Sequence, residues 1–451
     1  MKIKLPKAVQ TIIKLLNEHG HEAYAVGGAV RDAVLGRVPK DWDVTTDALP
    51  LEIKSIFNKT VDTGIQHGTV TVLMGGSGYE VTTYRIDGEY EDSRHPKDVT
   101  FTRNLTEDLK RRDFTVNAMA YNDSDGLIDE FDGAKDLEEG IIRTVGSAKE
   151  RFSEDALRML RAVRFSAQLG FSIEESTKEA IIELAPTIQN ISAERIRDEL
   201  LKLIESSNPQ KITDLYNLGL TKYILPEFDK MMECEQNSKH HMYSVGEHTV
   251  VSMGNVPSDR VYRLTMLLHD SGKPDCKTLG EDGYHHFYNH PAVSAEIANQ
   301  VLRRLKLDNN TRKKVVKLVR YHDERPVLKK KSVRRTIAKI GIDAYPDIFT
   351  INRADTMAQS TYNREEKLKY IDEYEAIYNE IIEEKSALTI ADLKISGRIL
   401  MDMGIKEGPV IGATLKELLN DVIDEPSHNT EEYLRDKAKE IAGNMENNDE
   451  N

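Results

Sequence analysis

The stretch AVGGAVRDAVLGRVPKDWDVTTD, from Ala25 to Asp47, decides the fold and the chemistry of this chain. A glycine pair, Gly27 and Gly28, follows a short apolar run and precedes a segment with a helical pattern. Asp41 and Asp43 come next, with one residue between them. Residues two apart on a β-strand face the same side, so we predict that the two carboxylates share one site.

This aspartate pair indicates a metal site. Two carboxylates held close together repel each other unless a cation lies between them. Hard oxygen ligands suit Mg²⁺, which completes its shell with water and substrate phosphates. Glycines after a strand let backbone N–H groups approach a phosphate. A GG pair alone is often a turn, and D-x-D alone is common on polar surfaces, but together they indicate nucleotidyl transfer.

The composition limits the remaining options. The chain has 451 residues, enough for three or four domains. Its formal net charge of −14 excludes nucleic-acid binding through the overall field. Any RNA contact must therefore come from local basic patches, such as Lys329–Lys331 with Arg334 and Arg335, which could equally be a solvated helix face.

The two cysteines, Cys234 and Cys276, argue against a disulfide framework and fit a reducing cytoplasm. The N-terminal segment has the apolar spacing of an amphipathic helix and lacks the continuous apolar core of a secretion signal. No segment approaches the length and apolarity of a membrane span. We therefore predict a cytoplasmic protein with no membrane association.

Two kinds of pattern divide the chain. Residues from about 20 to 145 mix short strand-like runs such as GTVTVLM and YEVTTYR with Gly and Asp turns, which is typical of half-buried antiparallel strands. From about 150 onward, apolar residues recur three and four apart, as in helices. The sequence therefore predicts a mixed α/β head followed by a long helical body.

Two further motifs carry charged residues at helical spacing. In RRDFTVNA, Arg111 and Arg112 could neutralise a triphosphate, while Asp113 and Asn117 would share a helix face near a ribose. The second motif, EDALRMLRAVR, begins at Glu154 and contains a helical stripe that could present hydrogen-bonding groups to a base edge, formed by Asp155, Arg158, Arg161 and Arg164.

These motifs together resemble the class II nucleotidyltransferases, the group of bacterial CCA-adding enzymes and poly(A) polymerases. The resemblance implies a polymerase-β-like α/β head with a mixed sheet. It implies Mg²⁺ at Asp41 and Asp43, with a third carboxylate for which Glu80 is the candidate. It also implies a nucleotide-binding set of Gly27, Gly28, Arg31, Arg112, Asp113, Asn117, Asp155, Arg158, Arg161 and Arg164. The stretch AERIRDEL resembles a following motif whose Glu194 and Arg195 would brace the binding helix.

Three details discriminate within this family. The strand GIQHGTVTV looks like that of CCA-adding enzymes, whereas poly(A) polymerases usually have a Gly-Arg-Arg-Phe-type run there. The loop 86–96 looks complete, and relatives that add only CC tend to lack part of it, so full CCA addition is favoured. A further motif is looser: DEFDG stands where the family has DPFGG, which leaves Asp129 and Gly133 matched.

A second chemical centre is indicated by the histidines. Eight of the 13 lie between positions 240 and 322. The adjacent pair His269-Asp270 offers a borderline and a hard ligand at one point, so Asp270 could bridge two metals. The ordered series resembles the HD phosphohydrolase superfamily, which implies a metal site formed by His248, His269, Asp270, His290, His322 and Asp355. Mn²⁺, Co²⁺ or Ni²⁺ would suit it, and Lys273 could hold a phosphate.

Breaks in the pattern suggest the domain boundaries. We predict a catalytic head over 1–145, a neck with base-recognition helices over 146–206, and a helical linker over 207–239. An HD domain is expected over 240–384, a tail that is a candidate for tRNA contact over 385–443, and a disordered polar end over 444–451.

The sequence therefore predicts an α+β protein that adds C, C and A to the tRNA 3′ end from CTP and ATP, with HD hydrolysis as a further activity and no obligate protein partner. A rival within the fold is an A-adding enzyme or poly(A) polymerase. A rival of another class is an HD phosphohydrolase whose head only grips RNA. A non-catalytic RNA binder fits least, because both ligand sets are complete.

Overall fold

A computed structural model of the chain describes residues 2–88, 99–239 and 242–449. The chain forms two compact units: Met1–Asp229 with Arg304–Lys306, and Lys230–Arg303 with Leu307–Asn451. In the described parts of the chain, no helix is both long enough and apolar enough to cross a membrane.

The first unit contains one main mixed sheet and further short strands outside it. Its strands are β1 (Ala23–Val26), β2 (Asp43–Thr46), β3 (Thr60–Gly64), β4 (Thr69–Met74), β5 (Ser77–Thr83), β6 (Arg85–Asp87), β7 (Val99–Phe101), β8 (Ala120–Asn122), β9 (Gly126–Ile128), β10 (Ile141–Ile142) and β11 (Ser172–Ile173). The main sheet has the order β3-β4-β5-β2-β1-β8-β9. β2 and β5 run parallel, while β2 pairs antiparallel with β1, so the predicted mixed sheet is confirmed.

The sequence explains the centre of this sheet. All of β1 is buried, as its run of Ala, Tyr, Ala and Val requires. β2 begins at the exposed Asp43 and then turns inward through three buried residues. The start of β2 therefore leaves the core at the point where its first side chain reaches solvent.

Helices cover this sheet and continue beyond it. They are α1 (Lys7–Glu18), α2 (Gly28–Val34), α3 (Pro50–Ile56), α4 (Leu105–Lys110), α5 (Gly133–Glu139), α6 (Ala148–Glu154), α7 (Leu157–Leu169), α8 (Glu175–Leu184), α9 (Ala193–Ile204), α10 (Ile212–Asn217), α11 (Thr221–Ile224) and α12 (Pro226–Met232). The predicted amphipathic N-terminal helix is confirmed, since α1 buries Val9, Ile12, Ile13 and Leu16. α7 is almost wholly buried and packs against α9.

Two local predictions are corrected. Asp113 and Asn117 do not lie on an α-helix, because Phe114 is extended and Thr115–Asn117 form a single 3₁₀ turn. Asp155 does not lie within a continuous helix, because α6 ends before it and its own backbone is extended. Its carboxylate accepts a hydrogen bond from the Leu157 N–H at 3.0 Å, so Asp155 caps the start of α7.

The second unit is helical apart from one short strand pair. Its elements are α13 (Val245–Gly254), α14 (Arg260–Leu268), α15 (Lys273–Cys276), β12 (Thr278–Leu279), β13 (His285–His286), α16 (His290–Arg304), α17 (Asn309–Tyr321), α18 (Lys330–Ile340), α19 (Asp347–Ala358), α20 (Arg364–Glu383), α21 (Gly397–Asp402), α22 (Pro409–Asp424) and α23 (Glu431–Asp449). α14 packs against α13, α17 and α19, which bring the histidines together.

The end of the chain differs from its prediction. Leu415, Leu418 and Val422 of α22 are buried against Leu434 and Ala438 of α23, as the apolar face of α22 predicts. However, α23 continues to Asp449, past residue 444 where the sequence predicted disorder. Met and Glu in this stretch have good helix propensity, which outweighs its polarity.

The basic patch on α18 is used inside the second unit. Lys330 forms ion pairs with Glu380 of α20 and with Glu384, which caps the end of that helix. Arg334 is buried and donates to the Ile423 carbonyl at 2.6 Å, at the end of α22. These side chains join helices of the body, so the patch is not merely a solvated face.

Candidate nucleotide site and histidine centre

The aspartate pair lies at the exposed start of β2. Asp41 and Asp43 are exposed, whereas Trp42 and Val44 are buried, which is the alternation that the sequence predicted. β2 and β5 are in register with Val44 beside Val81, so Glu80 lies next to Asp43. Loss of solvent around the Asp43 carboxyl, and then the charge of Glu80, raise its pKa.

That arrangement fits a divalent cation. Three carboxylates, Asp41, Asp43 and Glu80, gather beside β2 and β5, and the charges of Glu80 and Asp41 add to burial in raising the pKa of Asp43. A cation such as Mg²⁺ would relieve this repulsion and would take its remaining ligands from water and phosphate. The chemistry of the donor set therefore agrees with the metal that the sequence predicted.

The glycine turn meets Arg112 beside these acids. Val26 pairs with Asp43 across β1 and β2, so Gly27 follows directly beside the aspartate pair. Gly27 has φ +74°, and a Cβ there would lie 3.1 Å from Nη1 of Arg112. The Gly27 N–H itself donates to the Met119 carbonyl at 3.3 Å, so it is already used in the fold. Only glycine leaves this space for the guanidinium.

Asp108 holds the arginine pair and was missed by the sequence reading. It is fully buried and accepts hydrogen bonds from Arg111 at 2.7 Å and from Thr45 of β2 at 3.2 Å. The oxygen that accepts from Thr45, Oδ2, also lies 3.5 Å from Nη2 of Arg112. Burial alone would raise the pKa of Asp108, but the two arginines outweigh it and lower the pKa. The spacing of three and four residues to Arg111 and Arg112 was the available signal.

A buried network joins the glycine helix to α7. Arg31 donates to the Asn117 side chain at 2.7 Å, and Asn117 donates to Asp113 at 3.0 Å. Arg161 of α7 donates to the other Asp113 oxygen at 2.8 Å. Burial opposes ionisation of Asp113, but Arg161 and Asn117 lower its pKa to about 2. Asp113 is therefore a permanent carboxylate that links these elements.

The remaining charged residues of α7 have partners on α6 and α9. Asp155 accepts from Arg195 at 2.7 Å, so Arg195 does brace the helix. Arg158 donates to Glu154 at 2.6 Å. Arg164 lies 2.5 Å from Glu199, and that acid, rather than Glu194, holds this side of α7.

Phe165 is a second residue that the sequence reading missed. The guanidinium of Arg164 lies 3.7 Å from its ring centroid, and those of Arg31 and Arg161 lie 5.1 and 5.4 Å away. A ring face attracts cations, so Phe165 gathers three arginines around one point. Its position four residues after Arg161 on a helix was the only sequence signal.

The DEFDG motif, residues 129–133, packs against the turn that carries Asn117. Both carboxylate oxygens of Asp129 accept backbone N–H groups, from Gly133 and Ala134, each at 2.8 Å. A Cβ at Gly133 would lie 2.3 Å from the Thr115 carbonyl oxygen. Gly133 thus lets α5 pack against the 3₁₀ turn that carries Asn117. The motif residues shape the backbone and do not reach the aspartate pair.

The predicted flexible loop 86–96 lies mostly outside the described residues. Its first strand, β6, pairs with β7 after the gap.

The histidine centre of the second unit is assembled. His248, His269 and Asp270 form one group with ligand atoms within 4.8 Å of one another, and Asp270, His290 and His322 form another. Nε2 of His290 lies 3.4 Å from Oδ1 of Asp270, whereas Nε2 of His269 lies 3.3 Å from Oδ2. Asp355 lies 2.9 Å from His248. The structure therefore brings together all six predicted ligands, with Asp270 between two groups.

Backbone carbonyls fix the orientation of the histidine rings. Nδ1 of His269, His290 and His322 lies 2.7, 2.9 and 2.7 Å from the carbonyls of Met266, Phe287 and Val319. A carbonyl can only accept, so these Nδ1 atoms carry the proton and the Nε2 atoms face the centre. Nε2 atoms of His290 and His322 are 3.3 Å apart. Such facing lone pairs, with one oxygen of the buried Asp270 towards His290 and the other towards His269, fit two metal ions.

A cavity of about 980 Å³ opens beside this centre. Lys273 reaches Asp270 at 2.7 Å and donates to Gln236 at 3.1 Å. Burial opposes ionisation of Asp270, but His269 and Lys273 hold its pKa well below the usual range. The His-Asp pair follows directly on the buried helix α14.

The mixed sheet, the acid pair and the arginine network define the chain as a nucleotidyltransferase with a helical body. Three family models match it. They are described as "Poly A polymerase head domain" over residues 23–143, "Probable RNA and SrmB- binding site of polymerase A" over 170–232, and "tRNA nucleotidyltransferase domain 2 putative" over 284–438.

Individual relatives narrow the class to one family. A CCA-adding enzyme of Lactobacillus johnsonii is 36% identical over 425 residues, 94% of this chain and 94% of that protein. One of Leuconostoc mesenteroides is 53% identical over 206 residues, 46% of this chain and about half (51%) of its own length. A solved Bacillus stearothermophilus CCA-adding enzyme in complex with CTP is 29% identical, with a TM-score of 0.75 over 98% of both chains. The chain belongs to the CCA-adding enzyme family.

Proposed function

We propose that the chain adds C, C and A in sequence to the 3′ end of tRNA, from CTP and ATP and without a template, releasing pyrophosphate at each step. The observation that carries the proposal is that the exposed pair Asp41 and Asp43 lies beside Arg112. Arg112 is in turn held by Asp108 of α4. The names of the relatives support the same activity.

In this proposal Asp41, Asp43 and Glu80 hold Mg²⁺. Held by these carboxylates, Mg²⁺ would supply Lewis acidity that favours ionisation of the tRNA 3′-hydroxyl and would compensate charge on the phosphates. The hydroxyl oxygen then forms a bond to the α-phosphorus while the bond to the pyrophosphate oxygen breaks. Arg112, beside the turn Gly27-Gly28, stabilises the negative charge of the departing pyrophosphate. Most of the rate gain comes from positioning and charge compensation.

The network around α7 is proposed to select the nucleotide. Arg31, Asp113 and Asn117 form the side towards the ribose. The base edge is read by members of the α7 set, namely Asp155, Arg158, Arg161 and Arg164. Asp155 and Arg161 are each paired with a neighbour, so a base must share or replace those hydrogen bonds. Asn117 and Asp113 hold the correct geometry before the nucleotide arrives.

The domain division is part of the same proposal. A catalytic head over 1–145 and a neck over 146–206 together contain every residue of the nucleotide site. The linker over 207–239, the histidine domain over 240–384 and the tail over 385–443 follow, with the tail as a candidate for tRNA contact.

The test is incorporation into tRNA that lacks its 3′ CCA. The purified protein is incubated with Mg²⁺ and CTP alone, ATP alone or both, and the products are sized at nucleotide resolution. We expect two additions with CTP alone and a third only when ATP is also present. Long A tracts from ATP alone would identify a poly(A) polymerase instead. No extension under any condition would favour the histidine centre as the working site.

We also propose a second activity, metal-dependent hydrolysis of phosphate esters at the histidine centre. The observation that favours it is the set of four imidazoles whose Nε2 atoms face Asp270 and Asp355. Mn²⁺, Co²⁺ or Ni²⁺ would supply an activated water there. Water oxygen adds to phosphorus and one ester P–O bond breaks, which would open a 2′,3′-cyclic phosphate or remove a 3′-phosphate before CCA is added.

Hydrolysis of 2′,3′-cyclic nucleotides with Mn²⁺, Co²⁺ or Ni²⁺ tests this second activity. We expect turnover with at least one of these metals and loss of turnover in Asp355→Asn. Incorporation of CCA should be unchanged in that variant, because Asp355 lies in the other unit. No turnover with any metal would contradict the proposal.

A further inference from the structure

The cavity beside the histidine centre has an aromatic wall that the hydrolytic chemistry does not use. Tyr288 lines this cavity with 74% of its surface exposed. The His286 ring is parallel to the Tyr288 ring, with 5.4 Å between centroids and 5° between planes. A large exposed aromatic with a free face is an ordinary means of binding a planar ligand.

The fold holds this pair in place. His286 belongs to β13, which pairs with β12, and its Nε2 lies 3.0 Å from Asp282. A Cβ at Gly280 would lie 2.5 Å from the His286 ring, so the ring position depends on glycine there. The backbone of Asn237 also bonds His285, the residue before His286. The His286 ring on which Tyr288 stacks is therefore held in a fixed position by the hairpin.

The same segment carries a metal ligand. His290 follows two residues after Tyr288, and its Nδ1 donates to the carbonyl of Phe287, which lies between the two stacked rings in sequence. The same segment would therefore position both a ligand stacked on Tyr288 and the side chain of His290.

Charged side chains of both signs line the cavity. The lining includes four cations and five acids, namely Lys239, Lys273, Arg325 and Lys367, and Asp270, Asp282, Asp323, Asp355 and Glu366. Asp282 is held by His286, and Lys367 donates to Gln359 at 2.6 Å. Two divalent ions at Asp270 and Asp355 would make the inner part of the cavity positive and suited to a phosphate, beside the aromatic wall.

We propose that Tyr288, backed by His286, stacks the base of the substrate, so the histidine centre acts on a nucleotide or on the terminal nucleotide of an RNA and not on a small phosphate ester. Every base has a π-face, so the surface selects for a base and not for its identity. The proposal rests on the hydrolytic activity proposed above.

The test compares two substrates that differ only in the base. Wild type, Tyr288→Ala and Tyr288→Phe are assayed with Mn²⁺ on adenosine 2′,3′-cyclic phosphate and on methyl riboside 2′,3′-cyclic phosphate. Loss of the stack should raise KM for the adenosine substrate by roughly tenfold and leave the base-free substrate unchanged. Tyr288→Phe should behave as wild type, because it keeps the ring. An equal effect on both substrates, or none, would overturn the proposal.

Leu279→Ala is the matched control. Leu279 lies on β12 of the same hairpin, is 71% exposed and does not line the cavity, so its loss should alter neither substrate. If wild type hydrolyses neither substrate, the hydrolase proposal fails, and binding of adenosine 3′-phosphate with Mn²⁺ is measured by calorimetry instead. A roughly tenfold loss of affinity in Tyr288→Ala would then support the stack, and equal affinities would overturn it.

Discussion

The two sites hold their charges in opposite ways. At the head, Asp41 and Asp43 are exposed and are kept together by strand geometry against their own repulsion. At the histidine centre, His269 and Asp270 are almost fully buried, and backbone carbonyls fix the rings before any metal binds. One site is open and strained by like charge, and the other is closed and preorganised.

This difference has a functional meaning. Mg²⁺ dehydrates reluctantly and is commonly bound by one or two carboxylates plus substrate phosphates, so we expect the head to bind its metal together with the nucleotide. Buried imidazoles with fixed tautomers hold transition metals more permanently. The predictions below test whether the two sites are separate in this way, beginning with the largest expected effect.

Asp43→Asn should lower CCA incorporation roughly 10³-fold, because it removes a metal ligand and its charge from the transition state. The fold should survive, since the residue is exposed and the substitution keeps its shape. Incorporation is measured at saturating CTP and ATP. Asp62→Asn, another head aspartate on a strand, paired with Lys54 at 2.9 Å, is the control and should retain activity. Near wild-type incorporation by Asp43→Asn would contradict the assigned role.

Asp270→Asn should abolish stable metal binding at the histidine centre. Asp270 lies between both ligand groups, so its loss weakens each of them. Metal content after dialysis against Mn²⁺ or Co²⁺ is measured by elemental analysis, with roughly a hundredfold loss of affinity expected. CCA incorporation should not change. Loss of CCA incorporation together with loss of metal binding would show that the two sites are not independent.

Gly133→Ala should destabilise the head by about 3 kcal/mol, because the new methyl would overlap the Thr115 carbonyl. The chain has one tryptophan, Trp42, which is buried in the head and reports unfolding of that unit in urea. Gly412→Ala in α22 has open space around it and is the control, expected to be neutral or slightly stabilising. An unchanged midpoint for Gly133→Ala would contradict the packing role of this glycine.

The local geometry on which this comparison rests could be predicted from the sequence. Alternation about Trp42 predicted that Asp41 and Asp43 would share a face, and the apolar spacing of the N-terminal segment predicted helix α1. Both are local properties, since strand and helix periodicity follow from spacing alone. The mixed head and the helical body were predicted on the same basis.

Other features depend on contacts that spacing does not contain. Asp155 looked like part of one long helix, but its pairing with Arg195, which lies 40 positions later, accompanies a break between α6 and α7. Asp108 and Phe165 show only a helical spacing to nearby arginines, and their roles appear when Thr45 and Arg31 reach them from elsewhere in the chain. Contacts between residues distant in sequence therefore determine these features, which local secondary-structure propensity does not specify.

The smallest expected effect is the contribution of the buried Asp113 carboxylate to the stability of the head. Its pKa of about 2 lies below the ordinary value of 3.8, so its ionised form stabilises the fold above pH 4 and loses that effect as the pH falls towards 2. The shift corresponds to about 2 kcal/mol. Asp113→Asn should therefore be less stable than wild type at pH 7 by about this amount, with a gap that closes between pH 4 and pH 2. Urea unfolding followed by Trp42 at several pH values measures the gap. A difference that stays constant across this range would show that Arg161 and Asn117 do not favour the carboxylate, and that Asp113 contributes by shape alone.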